Sequence, residues 1–365
     1  MRDLGRVSII FAVVLIAIEI NAQNTDYPYF IPYDVTAKLS EQLFMGDYVG
    51  KVVSESPGHF RRYPDCVAQV YPVDDNKFTI KFMEKFDCRS DDYATITGLK
   101  IDNMVVFNNE SAKGMIVNDS LTGQLFFDGR WHEFGLKKTM RQSPTEGENA
   151  PENAIVLFDG SDYDEWIGYE DAAIKWEIVN GDQMEILPVK HHTYPKNSIF
   201  TKRKFSDLFL HLEFRLPLMP ESSGQYRANS GIIFNDVCEV QILDSYGLEG
   251  KWRDCGALYR ISPPKVNACG PPLTWQTYDI IYHAPKYDKQ GQRIENGEIT
   301  VYHNGKRIHY KYPLKRGPEK LENGAVSFTT NIEFQDHWYV LWFRNVWVID
   351  LTKSNMLPKY ISQLE

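Results

Sequence analysis

A two-residue rhythm constrains the fold more than any other feature. Leu208 to Arg215 reads Leu-Phe-Leu-His-Leu-Glu-Phe-Arg. Leu208, Leu210, Leu212 and Phe214 share one parity; Phe209, His211, Glu213 and Arg215 share the other. Successive side chains of an extended chain point to opposite faces. The segment therefore reads as a strand with a leucine face toward a core and an outer face on which Glu213 and Arg215 form a solvated ion pair. Similar alternation, punctuated by turn residues, recurs along the chain, and helix-period patterns are scarce. Aromatic residues make up 13% of the chain, which also favours strands. The expectation is an all-β protein.

Three hundred and sixty-five residues exceed one ordinary core. Arg2 and Arg6, an apolar run from Val7 to Ile18 and a small Ala22 read as a signal peptide over residues 1–22, which implies a secreted or periplasmic protein. Residues 26–141 read as a small β-rich domain. Its candidate strands are Asp47–Val53, Cys66–Val73, Lys77–Met83, Met104–Phe107 and Gln124–Phe127, separated by turns such as Asp128-Gly129. Residues 142–153 carry prolines, a glycine and acids without apolar period and read as a linker. A second domain spans 154–351.

The formal net charge is −9, which does not suit a phosphate backbone, so no nucleic-acid partner is expected. No later stretch suits an integral membrane segment. Five cysteines in an exported chain suggest disulfides. Cys66 with Cys88 and Cys255 with Cys269 are close enough in sequence to pair. Cys238 is left as a buried thiol. His191-His192 brings no third ligand by spacing, so no metal site is evident and the cofactor is left unknown.

Candidate chemistry gathers in a few places. Cys238 to Asp244 reads Cys-Glu-Val-Gln-Ile-Leu-Asp. Val240 and Ile242 should enter the core, and Glu239 and Gln241 should stand together on the other face, about 7 Å apart. A glycosidase ordinarily needs two facing carboxyl groups, and here the second position is an amide. Asn229, in the preceding Asn-Ser-Gly turn, offers hydrogen bonds to hydroxyls. Trp275 offers a ring for stacking, although packing is the commoner fate of a tryptophan. Gln335 and His337 share a side in Phe334-Gln-Asp-His337, and a histidine there suits acid or base work.

Several motifs, taken in order, resemble the 3-keto-disaccharide hydrolase family. They are Leu157-Phe-Asp-Gly160, Leu210-His-Leu-Glu-Phe-Arg215, Asn229-Ser-Gly231, Glu239-Val-Gln-Ile-Leu-Asp-Ser245, Asp254-Cys-Gly-Ala-Leu-Tyr259, Trp275-Gln-Thr-Tyr-Asp279, His303-Asn-Gly305 and Phe343-Arg-Asn-Val-Trp347. The resemblance covers Ala154 to Leu351. Thr274 departs from the glutamate that is frequent before Trp275 in that family. The resemblance implies a concanavalin- or glucanase-like jelly-roll sandwich. It also implies an oligosaccharide or glucoside substrate already oxidised to a ketone at C3. Such a ketone acidifies the C2 proton, so one base and one group to polarise the ketone suffice. On this reading Glu239 or His337 is the base, and Arg344 or Gln241 steadies the oxygen. Gln241, Asn229, Tyr259, Trp275 and Gln335 bind substrate. The same fold hosts lectins and ordinary glycosidases, so a non-catalytic carbohydrate-binding module and a hydrolase of unoxidised glycosides are the competing readings.

Overall fold

The computed structural model describes residues 42–53, 65–74, 76–86, 92–187, 197–234, 237–321, 328–354 and 356–364. The expected signal peptide, Cys88 and His191-His192 lie outside the described residues.

The first part is an eight-stranded antiparallel barrel. Its strands are β1 (Gly46–Val53), β2 (Asp65–Asp74), β3 (Lys77–Met83), β4 (Ala94–Ile101), β5 (Met104–Asn108), β6 (Ala112–Val117), β7 (Ser120–Phe127) and β8 (Arg130–Thr139). They pair in sequence order, and β1 closes on β8, so the barrel has no open edge. Tyr48, Phe78, Ile80, Phe82 and Leu136 fill it. Two-residue hairpins join several strands, and Asn118 and Asp128 take the positive φ such turns require. Gly114 and Gly123 face each other where β6 and β7 nearly touch. A Cβ on either would lie 2.1–2.2 Å from a backbone oxygen of the opposite strand. Sequence alternation located five of these strands and missed β4, β6 and β8.

The second part is a sandwich of two antiparallel sheets. The front sheet has the order β10 (Trp166–Gly168), β13 (Ile199–Thr201), β22 (Ile332–Phe334), β15 (Ser230–Phe234), β16 (Cys238–Ile242). The back sheet has the order β11 (Glu177–Val179), β12 (Gln183–Glu185), β23 (Trp342–Asp350), β14 (Leu208–Arg215), β17 (Trp275–His283), β20 (Gly297–His303), β21 (Lys306–Leu314), with β9 (Ile155–Phe158) also beside β23. A short pair, β18 (Lys286–Tyr287) and β19 (Arg293–Glu295), stands apart. This is the all-β jelly-roll architecture preceded by a smaller β-rich body.

The alternation reads through to the packing. Leu208, Leu210, Leu212 and Phe214 of β14 and Val240 and Ile242 of β16 lie in one core. Phe334 of the front sheet meets Phe343 of the back sheet with ring centroids 4.8 Å apart. It touches Trp166 at the same distance. Truncating a ring so enclosed costs about 3–5 kcal/mol.

The outer face of β14 differs from expectation. Phe209, His211 and Glu213 are fully buried, and Glu213 does not pair with Arg215 in a solvated bridge. The segment read as a slack linker lies over them. Its Gly147 amide donates to Glu213 Oε1 at 2.6 Å. Thr145 Oγ1 donates to Asp279 Oδ2 at 2.7 Å, and Ser143 Oγ meets Thr277 Oγ1 at 2.6 Å. Polar groups that the alternation sent toward water thus find protein partners instead.

The disulfide expectation is not met among the described residues. Cys66, Cys238, Cys255 and Cys269 are all free and buried. Cys238 is the core thiol expected, and burial pushes its ionisation up.

Candidate functional site

The sequence-expected residues divide between two faces. Glu239, Gln241, Asn229, Tyr259, Gln335 and His337 belong to the front sheet and its loops. Arg344 and Trp275 belong to the outer face of the back sheet. Arg344 sits in register with Glu213, donates to its carboxylate at 2.7 Å and to Glu146 at 3.1 Å. Its guanidinium lies 4.1 Å from the Trp275 ring centre. The sandwich core separates this cluster from Glu239, so Arg344 and Trp275 do not join it. Sequence alternation gives the parity of a side chain but not which sheet carries it.

On the front sheet, strand register builds the cluster. Gly231 of β15 pairs with Gln241 and Ile233 with Glu239 on β16. On its other side Ile233 pairs with Glu333 of β22. Glu239 and Glu333 therefore flank Ile233 on one face, two strand spacings or about 10 Å apart at Cα. Phe200 of β13 continues that row beside Glu333. Ladder pairing persists past β22, since the Gln335 amide donates to Gly231 O at 3.0 Å.

Glu239 is a partly exposed acid on this face. Its carboxylate lies over Gly231, where a Cβ would come within 2.5 Å of Oε1. Glycine leaves there the space that the Glu239 side chain occupies; any Cβ would displace that side chain. The Gln241 amide lies 2.9 Å from Glu239 Oε1 and 3.0 Å from Ser230 O. The orientation that places its nitrogen there donates to both; amide orientation follows from the hydrogen bonds. On its other side Gln241 meets Asn229 at 3.1 Å. Gln241 and Asn229 are nearly inaccessible, at 1% and 4%. They hold Glu239 in place rather than line an open surface, which corrects the expectation that Glu239 and Gln241 project into a trough together.

Electrostatics single out the same acid. Burial, and then the nearby charge of Glu333, push Glu239 up to about 7, against an opposing pull from Arg260. A carboxyl that titrates near neutrality suits proton transfer. Neither Glu333 nor Arg260 was singled out in the sequence. Glu333 sits in a strand of three residues, too short to display alternation. Arg260 reaches the site because its loop folds back: Tyr259 N donates to Glu239 O, and Gln241 N donates to Ala257 O, both at 2.9 Å.

Gln335 is buried, and its Oε1 has no hydrogen-bond partner among the described residues. His337 lies two residues further on, and its Nδ1 is likewise unpartnered among them. Burial pushes its ionisation down, so the ring is neutral at neutral pH. No cluster of three or more metal-ligating side chains occurs among the described residues, and no helix among them is long and apolar enough to cross a membrane.

A β-sandwich whose front sheet carries a partly buried acid shifted toward neutrality beside amide side chains defines a class: all-β proteins with a candidate acid–base group on a sheet face. Within that class, the chain belongs to the family of 3-keto-α-glucoside-1,2-lyase-like domains, whose model matches residues 153–349. It is similar to a Parabacteroides distasonis protein provisionally called a glycosyl hydrolase, at 31% identity over 56% of this chain and 86% of that one, with a TM-score of 0.48. A second such protein of the same organism matches at 18% identity over 55% and 95%, with a TM-score of 0.40. No curated protein matches the chain. Family membership makes it a glycoside-acting, hydrolase-like protein.

Proposed function

We propose that this protein hydrolyses 3-keto-glucosides, with Glu239 as the base that removes the C2 proton. The observation that carries the reading is a partly exposed carboxyl, fixed by Gln241 over Gly231 and titrating near 7. An ionised Glu239 takes the proton from C2, and the electron pair passes into the C3 carbonyl as an enolate. The enolate collapses to a C1–C2 double bond as the C1–O bond breaks, and the leaving oxygen takes up a proton. Water then adds at C1 and a proton returns to C2, so one water is consumed and nothing is oxidised or reduced. Arg260, whose charge already acts on Glu239, replaces Arg344 as the cation available to the enolate. Neutral His337, with its unpartnered nitrogen, is the other candidate base.

The test is incubation with a 3-keto-glucoside in deuterated water, using the wild type and the Glu239→Gln and His337→Gln variants. Loss of both turnover and C2 exchange in Glu239→Gln supports the assignment. Wild-type turnover in both variants overturns the site. A second reading draws on Glu333: two carboxyl groups on one face flank Ile233, as in a glycosidase acting on unoxidised sugar. Turnover of the parent glucoside, and none of its keto derivative, selects that reading.

A further inference from the structure

Asp47 lies on β1 beside Tyr48, which fills the barrel, so alternation points its carboxylate out through the barrel wall. It is nonetheless only 1% exposed. A carboxylate taken out of water needs polar or charged partners. Arg141 Nε donates to Oδ2 at 2.6 Å, the Tyr246 hydroxyl donates to Oδ1 at 2.7 Å, and Gln69 Nε2 donates to Oδ1 at 3.4 Å. Gln69 stands opposite Asp47 on β2, and Arg141 follows β8. Tyr246 belongs to the sandwich, in the turn that follows the strand of Glu239 and Gln241. Rings seal the contact: Tyr246 meets Tyr71 of β2 edge to face, with centroids 6.1 Å apart. Gly247, at φ 76°, passes where a Cβ would collide with the Tyr71 ring.

The same turn ties together what surrounds Glu239. Asp244 is fully buried and accepts from Arg227 Nε at 3.1 Å, from Arg227 Nη2 at 2.5 Å and from the Tyr246 amide at 3.2 Å. Its own amide donates to Arg227 O at 3.0 Å. Two residues after Arg227 stands Asn229, which meets Gln241 at 3.1 Å. On the other side, Ser245 Oγ accepts from Cys255 N and Gln241 O accepts from Gly256 N, both at 2.9 Å. Those bonds start the loop that carries Arg260 back to Glu239.

We propose that Asp47 is a positioning residue for the Glu239 site: by holding the Tyr246 hydroxyl, the barrel fixes the turn against which Gln241 and the Arg260 loop are set. The inference rests on the proposed reaction at Glu239 and adds to it the part that the barrel plays. A hydroxyl on a carboxylate is a short, directional, charge-assisted bond, suited to setting a geometry. Without it the turn loosens and the Gln241 amide withdraws from Glu239 Oε1. An amide that donates to a carboxylate favours the ionised form, so its withdrawal raises the pH at which Glu239 becomes a base and leaves that base less well aimed. Glu333 and Arg260, whose charges act on Glu239, are unaltered by changes at Asp47 or Tyr246.

Steady-state kinetics on a 3-keto-glucoside across pH tests this, with the full-length wild type, Tyr246→Phe, Asp47→Asn and Asp47→Ala. Tyr246→Phe keeps the ring contact and removes the hydroxyl alone. It should lower kcat roughly tenfold with little change in KM, as a small misplacement of a reacting group does, and move the rise of kcat/KM to more alkaline pH. Asp47→Ala should do the same. Asp47→Asn, whose amide oxygen still accepts from Tyr246, should keep most of the activity; a role confined to charge pairing would make the two Asp47 variants equally harmful. Wild-type kcat and an unmoved pH profile in Tyr246→Phe overturn the proposal, and so does an equal loss in Asp47→Asn and Asp47→Ala. Where Asp47→Ala fails to fold, Tyr246→Phe decides by the same measures. If the wild type turns over no keto-glucoside, the proposed reaction fails and positioning is judged without it. The Glu239 carboxyl titration, followed by carbon NMR and assigned with Glu239→Gln, should then move to more alkaline pH in Tyr246→Phe, and an identical titration overturns the proposal.

Discussion

Replacing Glu239 by glutamine should stabilise the protein while abolishing its reaction, and the stabilisation should depend on pH. Glutamine keeps the shape and the contact with Gln241 but carries no charge. Lifting a carboxyl from the ordinary 4.5 to about 7 means that the folded protein resists its ionisation. Below pH 4.5 the group is protonated in both folded and unfolded chains, and wild type and variant should be alike. Between pH 4.5 and 7 the unfolded chain ionises while the folded one holds its proton, so wild-type stability falls. Above pH 7 the penalty is complete at about 3 kcal/mol. Solvent reaches part of the side chain, which reduces this to about 2 kcal/mol. Urea denaturation at pH 5 and pH 8 measures the difference. The gain should be small at pH 5 and near its full value at pH 8, with an unchanged denaturant slope. A gain equal at both pH values, or a loss at pH 8, would refute the account of Glu239 as a strained, neutral-titrating acid.

In the proposed reaction ionised Glu239 is the active form, so kcat/KM should rise as pH increases through about 7; Glu333→Gln should move that rise to more acidic pH, as the pH profile will show. Gly231→Ala should cut activity by about 10²-fold or more by displacing the Glu239 carboxylate, with circular dichroism showing the fold retained. His211 lies between Asp279 and Glu213, where burial opposes its charge but the Asp279 hydrogen bond and charge outweigh it and lift the ring to about 9. The stability it contributes is complete below about pH 6.5 and lost as pH rises through 9. His211→Gln should therefore cost about 3–5 kcal/mol at pH 6 by thermal or urea unfolding, and less at pH 9.

What could be read from the chain is what a single strand determines. The leucine parity of β14 and the core positions of Val240 and Ile242 follow from alternation alone. Glu239 emerged because its strand is long enough to show both faces. Glu333 did not, because Ile332–Phe334 offers one outward position and no rhythm. Arg344 and Trp275 were grouped with Glu239 because parity is local, whereas the sheet that receives a strand is decided by pairing across long sequence separations. The buried polar face of β14 escaped for a related reason: polar residues at alternate positions read as solvated unless the segment that covers them is known. Arg260 reaches the site through the backbone bonds of a folded-back loop, which leave no side-chain signature.

The stretch from Ser143 to Glu148 belongs, in effect, to the sandwich. Any version of the sandwich that starts at Ala154 would open His211, Glu213, Thr277 and Asp279 to water and strip Arg344 of one of its acids. The smallest self-sufficient unit therefore begins at Ser143 or earlier. A protease seeking a seam between barrel and sandwich would find the chain there already occupied.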